Sequence, residues 1–195
     1  TYSVPDAPFR EVCNRDAHLP LSIHFMESPD ELMLYRGKGS LHEWYKRVGF
    51  SCDFLHYGSP AERIVSCVPK DRSVLLVHNC DIETITSHFT VPVSWVLSPR
   101  SNSYISRIEP QSVELLRTAA SNNTASHNNI NICIGTDSLA SNWSLSIMEE
   151  LKMFHNIPLA ELLQWATING AKALGIADKY GSIEVGKRSG IVNIT

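Results

Sequence analysis

The chain has 195 residues, 43% of them hydrophobic, with 17 basic against 20 acidic side chains and a formal net charge of −3. That length and composition fit one globular domain with a real core and room for a small appendage. No basic block favours nucleic acid, no apolar run reaches membrane-spanning length, and the opening residues do not resemble a signal peptide, so a cytoplasmic protein with neither partner is expected. The cysteines (Cys13, Cys52, Cys67, Cys80, Cys133) are odd in number, scattered and without a C-x-x-C pair, which points to reduced thiols rather than a disulfide framework. The glycosylation sequons at Asn122 and Asn142 read as coincidence in that setting.

In chain order, Pro5 and Asp6 open a helical stretch to about Ala17, with Phe9, Val12 and Cys13 on one face. Leu19 to Phe25 reads as a buried strand, Leu41 to Val48 as a helix, and Pro60 to Ser66 as a shorter helix. Ser73-Val74-Leu75-Leu76-Val77-His78 is the clearest strand. Asp81 caps a predicted short helix ending near His88, and Val91 to Leu97 returns to strand with Pro92 near its start. Pro110 begins a helix to about Ser121, a polar Asn/Ser loop runs to Asn131, and Ile130 to Gly135 is a further strand. Helices over Leu145–His155 and Leu159–Leu174 follow, and the tail from Tyr180 alternates glycines with short β-prone runs.

Strands alternating with helices imply an α/β fold with parallel pairing through crossovers. Four strand–helix units are visible, whereas a closed (β/α)8 barrel usually takes about 250 residues. The pattern therefore allows a small doubly wound domain or half a TIM barrel over 1–178, with 179–195 as a β appendage.

Polar titratable groups recur at the carboxyl ends of these apolar runs. His24 ends one strand and Glu27 follows it, His78 ends the next, and Asp137 follows the last. In barrels of this kind that is where catalytic groups are carried. Imidazole and carboxylate are ligands for zinc or iron(II), and a free glutamate can move protons beside activated water. Each residue taken alone also has a structural reading. Asp137 could cap its turn, His78 could bond a neighbouring loop, and Glu27 could belong to the acidic first turn of a helix.

Ser22-Ile23-His24-Phe25-Met26-Glu27-Ser28 resembles the H-x-x-E segment of strand five in the amidohydrolase superfamily, in its cytosine deaminase, chlorohydrolase and adenosine-type deaminase branch. Leu76-Val77-His78-Asn79 is similar to the strand-six histidine segment. Ser98-Pro99-Arg100-Ser101-Asn102 resembles C-P-x-S-N, with serine for the usual cysteine. Gly135-Thr136-Asp137-Ser138-Leu139-Ala140-Ser141-Asn142 resembles the strand-eight G-T-D-x-x-x-S-N, and Ala166–Gly175 with Gly181–Lys187 resembles the tail of the same enzymes.

The resemblance implies strands five to eight of a TIM barrel and the start of a small composite β domain. It implies one divalent metal, zinc or alternatively iron, with His24 and Asp137 as ligands and Asp137 also accepting a proton from the water. Glu27 would shuttle that proton to the substrate ring, His78 would polarise the group under attack, and Ser101 and Asn102 would shape the pocket. The reaction implied is hydrolytic deamination of an aminated heterocycle or nucleoside, in which activated water adds to an electron-poor ring carbon and ammonia leaves. The wording around His24 and Val77-His78-Asn79 points within that branch to 6-amino-6-deoxyfutalosine. Amide, imide or carbon–halogen hydrolysis on the same scaffold, and a non-catalytic fragment that joins a partner, are the alternatives.

The chain departs from the pattern in having no H-x-H, the pair that supplies two metal ligands on the family's first strand. Thr1-Tyr2-Ser3-Val4 already resembles the segment before strand five. A two-ligand site is expected to bind metal weakly and to leave the isolated chain inactive. A half-barrel with unpaired edges is further expected to self-associate as a homo-oligomer.

Overall fold

The computed structural model describes residues 1–80, 89, 91–107, 112–121 and 130–192. Strands β1 (Leu21–Phe25), β2 (Val74–His78), β3 (Val93–Leu97) and β4 (Asn131–Ile134) form one sheet in the order β1-β2-β3-β4, and every neighbouring pair is parallel. The register aligns Phe25 with His78 and Leu97 with Ile134, so the carboxyl ends of all four strands form one rim. Sequential order with parallel pairing is the arc of a (β/α) barrel. A doubly wound domain would reverse its strand order.

Helices α1 (Asp6–Asn14), α2 (Pro29–Tyr35), α3 (Gly39–Val48), α4 (Pro60–Cys67), α5 (Pro99–Ser106), α6 (Ser112–Ser121), α7 (Ile147–Leu151), α8 (Leu159–Ala166) and α9 (Ile168–Ala173) surround it. Most expected elements fall within a few residues of their predicted bounds. The single helix expected over Leu159–Leu174 is instead two, because Thr167 leaves helical geometry (φ −130°, ψ −91°) and turns its hydroxyl back onto the Leu163 carbonyl. The short helix expected from Asp81, the start at Pro110 and most of the Asn/Ser loop, with the Asn122 sequon, lie outside the described residues.

One face of the sheet buries the main core. Leu21, Ile23 and Phe25 of β1, Val74 and Leu76 of β2, Trp95 and Leu97 of β3, and Ile132 of β4 pack with Phe9, Ile64, Leu116, Leu151, Phe154, Leu162 and Trp165. The alternation is visible in β1, where Ser22 and His24 point to the opposite, exposed face. That second face holds only a small cluster of Val96, Cys133 and Ala173, with Leu75 and Val77 packed against it.

Two buried arginines tie the first helix down. Arg72 donates to the carbonyls of Val12, Cys13 and Leu19, and Arg63 lies between the rings of Phe9 and Phe54 while donating to Thr1 and Val4 carbonyls.

Residues 180–192 run through bends and turns with no paired strand, so the β-prone runs of the tail remain unpaired. The tail is anchored at Gly181, whose positive φ (+92°) and close approach to Ala171 and Ile168 leave no room for a side chain. Cys13, Cys52, Cys67 and Cys133 are free thiols. Among the described residues no helix is long and apolar enough to cross a membrane.

Candidate active site

Every residue singled out from the sequence lies on the carboxyl rim of the sheet. His24 and His78 come from adjacent strands, and their rings stack with centroids 5.0 Å apart. Glu27, just beyond β1, places Oε1 3.7 Å from His78 Nε2. Asp137 follows β4, and Ser101 of α5 donates a 2.6 Å hydrogen bond to its Oδ2.

The backbone at this rim is unusual. Among the described residues only six other than glycine have positive φ, and four of them (Met26, His78, Asn79, Asp137) stand at strand ends beside the site. Such conformations cost of order 1–3 kcal/mol each and persist where the surroundings over-determine them. Here the surroundings are visible. Asn79 donates to Leu76 and Val96 carbonyls, and its N–H and that of Cys80 bond the carbonyls of Phe25 and Met26. Gly135 allows β4 to approach β3 closely, since a Cβ there would sit 3.1 Å from Val96 Cγ1 and 3.3 Å from Ser98 Oγ.

His78 is fully buried and held by one residue at two points. Its Nδ1 lies 2.8 Å from Asn102 Oδ1, and Asn102 Nδ2 donates to the His78 carbonyl at 3.3 Å. The amide oxygen accepts, so Nδ1 carries the hydrogen, and in the neutral ring Nε2 keeps its lone pair. Nε2 is buried and has no hydrogen-bond partner among the described residues, because 3.7 Å to Glu27 is too long for one. A buried polar atom left without a partner and aimed at a carboxylate is set up for a missing third group.

Asp137 receives hydroxyl donors from both Ser101 and Ser141 on the same oxygen, Oδ2, at 2.6 and 2.8 Å. Burial pushes its carboxyl up, but these donors, a backbone N–H of Ser138 and the nearby His78 together hold it below the usual aspartate value. His24 is lowered, first by burial and then by the neighbouring His78, which favours its neutral, lone-pair form. A neutral imidazole and an ionised carboxylate are donors of the type zinc or iron(II) takes, and they fit such an ion. Among the described residues no group of three or more His, Cys, Asp or Glu gathers closely enough to hold a metal, so His24 and Asp137 are at most part of a ligand set.

Several supporting residues escaped the sequence reading. Tyr2 hydrogen-bonds Glu27 Oε2 through its hydroxyl. Buried Glu31 accepts the Glu27 N–H, and burial pushes its carboxyl up to about 7. Glu150 of α7, fully buried, accepts from Asn142 Nδ2 at 2.5 Å and from the Arg100 N–H at 3.1 Å, while Asn142 also donates to Thr136 O. It thereby joins the loop carrying Asp137 to the first turn of the helix carrying Ser101 and Asn102. Sequence signals existed for the helices alone: Ser28-Pro29-Asp30-Glu31 and Ser98-Pro99 both place proline at a first turn. Nothing in a single sequence pairs Glu150 with Arg100.

The Amidohydrolase family profile matches residues 1–194, and the chain belongs to that family. It is 32% identical over 187 residues to an adenosine deaminase of Helicobacter pylori, covering 90% of this chain and 42% of that protein. It is 27% identical over 208 residues to a 5-methylthioadenosine/S-adenosylhomocysteine deaminase of Teredinibacter turnerae, covering 99% of this chain and 41% of the relative. The crystal structure of Helicobacter pylori aminofutalosine deaminase in complex with methylthio-coformycin superposes with a TM-score of 0.75 at 31% identity, over 96% of this chain and 46% of that one. The chain thus spans less than half the length of the curated relatives it matches.

Proposed function

We propose that this chain supplies one half of the active site of a metal-dependent hydrolase that deaminates an adenosine-type nucleoside. The observation that carries the reading is the buried, unpartnered Nε2 of His78, fixed by Asn102 and facing Glu27 across 3.7 Å. The names borne by the 31–32% identical relatives support this substrate class.

His24 and Asp137 would hold the metal, zinc or alternatively iron, together with ligands from an H-x-H pair that this chain lacks. When bound, such a metal brings the pKa of water towards neutrality. Glu27 has one carboxylate oxygen engaged by Tyr2 and the other facing His78, and it moves a proton to the substrate ring nitrogen. His78 presents Nε2 to the group under attack. Asp137, with Ser101 and Ser141 donating to its Oδ2, would serve both as a ligand and as acceptor of the water's proton. Ser101 and Asn102 act on the reaction through Asp137 and His78.

Among the described residues the four-strand arc ends in unpaired edges at β1 and β4. These support the remaining barrel strands, or a second copy, as its complement. The exposed Ile183, Val185, Ile191 and Val192 support residues 179–195 as part of a composite β domain with segments from elsewhere. The free thiols support a cytoplasmic setting.

The test is ammonia release from adenosine and 5′-substituted adenosines, with zinc supplied, by this chain alone and co-expressed with an amino-terminal half-barrel bearing an H-x-H pair. Activity is expected only in the combination, and Glu27→Gln or His78→Ala should lower kcat/KM at least roughly a hundredfold. Unchanged turnover in Glu27→Gln would overturn the assignment.

A further inference from the structure

Glu27 is held from three separate parts of the chain. Its N–H is accepted by Glu31 Oε2 of α2 at 3.3 Å, and its carbonyl accepts from Ser106 Oγ at the end of α5 at 2.8 Å. Its Oε2 accepts from the hydroxyl of Tyr2, in the segment before α1. The first two contacts fix the backbone. Among the described residues only Tyr2 donates a hydrogen bond to the carboxylate itself. A glutamate side chain left free samples many rotamers, and ordering it before reaction is part of what a site contributes.

The Tyr2 contact is compatible with both protonation states of Glu27. The phenol donates to Oε2 of a carboxylate, and it donates equally to Oε2 as the carbonyl oxygen of an acid protonated on Oε1. A proton on Oε2 would instead set two O–H donors against each other. Protonation is thereby directed to Oε1, the oxygen 3.7 Å from His78 Nε2. Burial and the Glu27 carboxylate push the phenol above its ordinary value, so Tyr2 remains a donor.

Tyr2 is itself anchored on both sides. Fully buried Arg63 donates to the Thr1 carbonyl at 2.6 Å and the Val4 carbonyl at 2.9 Å, and the Tyr35 hydroxyl donates to the Thr1 carbonyl at 3.1 Å. The Tyr2 ring packs against the cluster of Leu34, Tyr35, Tyr45 and Phe54.

We propose that Tyr2 is a positioning residue for Glu27, holding Oε2 so that Oε1 alone carries the proton to the substrate. Arg63 anchors the segment that delivers the Tyr2 hydroxyl. The inference rests on the reading of Glu27 as proton carrier.

The test has two arms. In this chain alone, the Tyr2 hydroxyl proton should appear as a slowly exchanging NMR resonance that is missing from Tyr2→Phe and also from Glu27→Ala. Its survival in Glu27→Ala, or its absence from the parent chain, would overturn the pairing. In the barrel assembled with an amino-terminal half, Tyr2→Phe keeps the packed ring and should lower kcat roughly ten- to hundredfold, the factor for losing one hydrogen bond to a charged group. KM should stay within about twofold, and the solvent deuterium isotope effect on kcat should rise because the slowed step is the proton transfer. In a Glu27→Gln background Tyr2→Phe should cost nothing further, since Tyr2 acts through Glu27. Tyr57→Phe removes a hydroxyl bonded to Asp6 and Cys67, away from Glu27, and should leave kcat unchanged. Full activity of Tyr2→Phe beside an impaired Glu27→Gln would overturn the inference and leave the proton-carrier reading standing. So would a loss that is as large in the Glu27→Gln background, which would make Tyr2 merely structural. Unchanged turnover in Glu27→Gln would instead remove the proton-carrier reading on which the inference rests.

Discussion

The helix-covered face of the sheet and the carboxyl rim of the same strands follow opposite rules. On the covered face Ile23, Phe25, Leu76, Trp95, Leu97 and Ile132 interdigitate with helix residues in a continuous apolar core. At the rim, one or a few residues further along the same strands, the buried side chains are His78, Asn79, Ser98, Ser101 and Asn102. The core is held by area removed from water, about 25 cal/mol per Å². The rim is held by directed hydrogen bonds, tolerates left-handed backbone at Met26, His78, Asn79 and Asp137, and leaves polar atoms of His78 and Ser98 without partners. The difference teaches that stability and reactivity are separated along each strand rather than between domains.

The sharpest way to break this division is to cut each region and compare. Trp95→Ala or Phe25→Ala should cost about 3–5 kcal/mol, read from urea denaturation with an unchanged m-value. If either costs under about 1 kcal/mol, the covered face is not the stabilising one.

The next effect is a pH dependence set by the one strongly shifted carboxyl near the rim. Burial raises folded Glu31 to about 7, against 4.5 as the ordinary value. The folded state then holds the proton more tightly, so Glu31 favours folding below about pH 4.5 and loses that contribution as pH rises through 7. At ~1.4 kcal/mol per pH unit the loss is on the order of 3 kcal/mol. The stability difference between Glu31→Gln and the parent chain should therefore widen in favour of the variant between pH 5 and 8; a constant difference would show that Glu31 does not titrate there.

Glu150→Ala leaves Asn142 Nδ2 and the Arg100 N–H short of an acceptor and should cost about 1–3 kcal/mol. It should also loosen both loops, visible as faster amide exchange at Thr136–Ser141 and Arg100–Asn102. Smallest of all, Asp137→Asn should change stability by less than about 1 kcal/mol, because its two side-chain partners are hydroxyls that can reorient and the amide oxygen can still accept from the Ser138 N–H. The same change should abolish metal-dependent activity in the assembled barrel. A large stability loss there would place Asp137 with the structural residues.

Much of this was legible in the chain. Val74–His78 and Ile132–Gly135 announce strands by apolar composition, and a titratable group after each is a local pattern that periodicity exposes. The H-x-x-E, V-H-N and G-T-D segments mark His24, Glu27, His78 and Asp137 as strand-end groups and S-P-x-S-N marks Ser101 and Asn102 as pocket residues, and the structure brings all six to one rim. The α2 and α5 helices were not read as elements, because each is under nine residues long and opens with polar residues that mask its periodicity. The break at Thr167 was also hidden, since a threonine hydroxyl bonded to the carbonyl four residues back is invisible to pattern reading.

By itself the sequence determined the alternation of strands and helices, the ends at which chemistry sits and the residue types brought to it, since all of these depend on neighbours in the chain. Tertiary structure alone decided what those residues do to one another. That Asn102 holds His78, that Ser101 reaches the same oxygen of Asp137 as its near neighbour Ser141, and that Glu150 joins two loops all depend on contacts between residues 8 to 50 positions apart. Such contacts are set by how the strands pair and the helices pack, and no local signal in the chain encodes them.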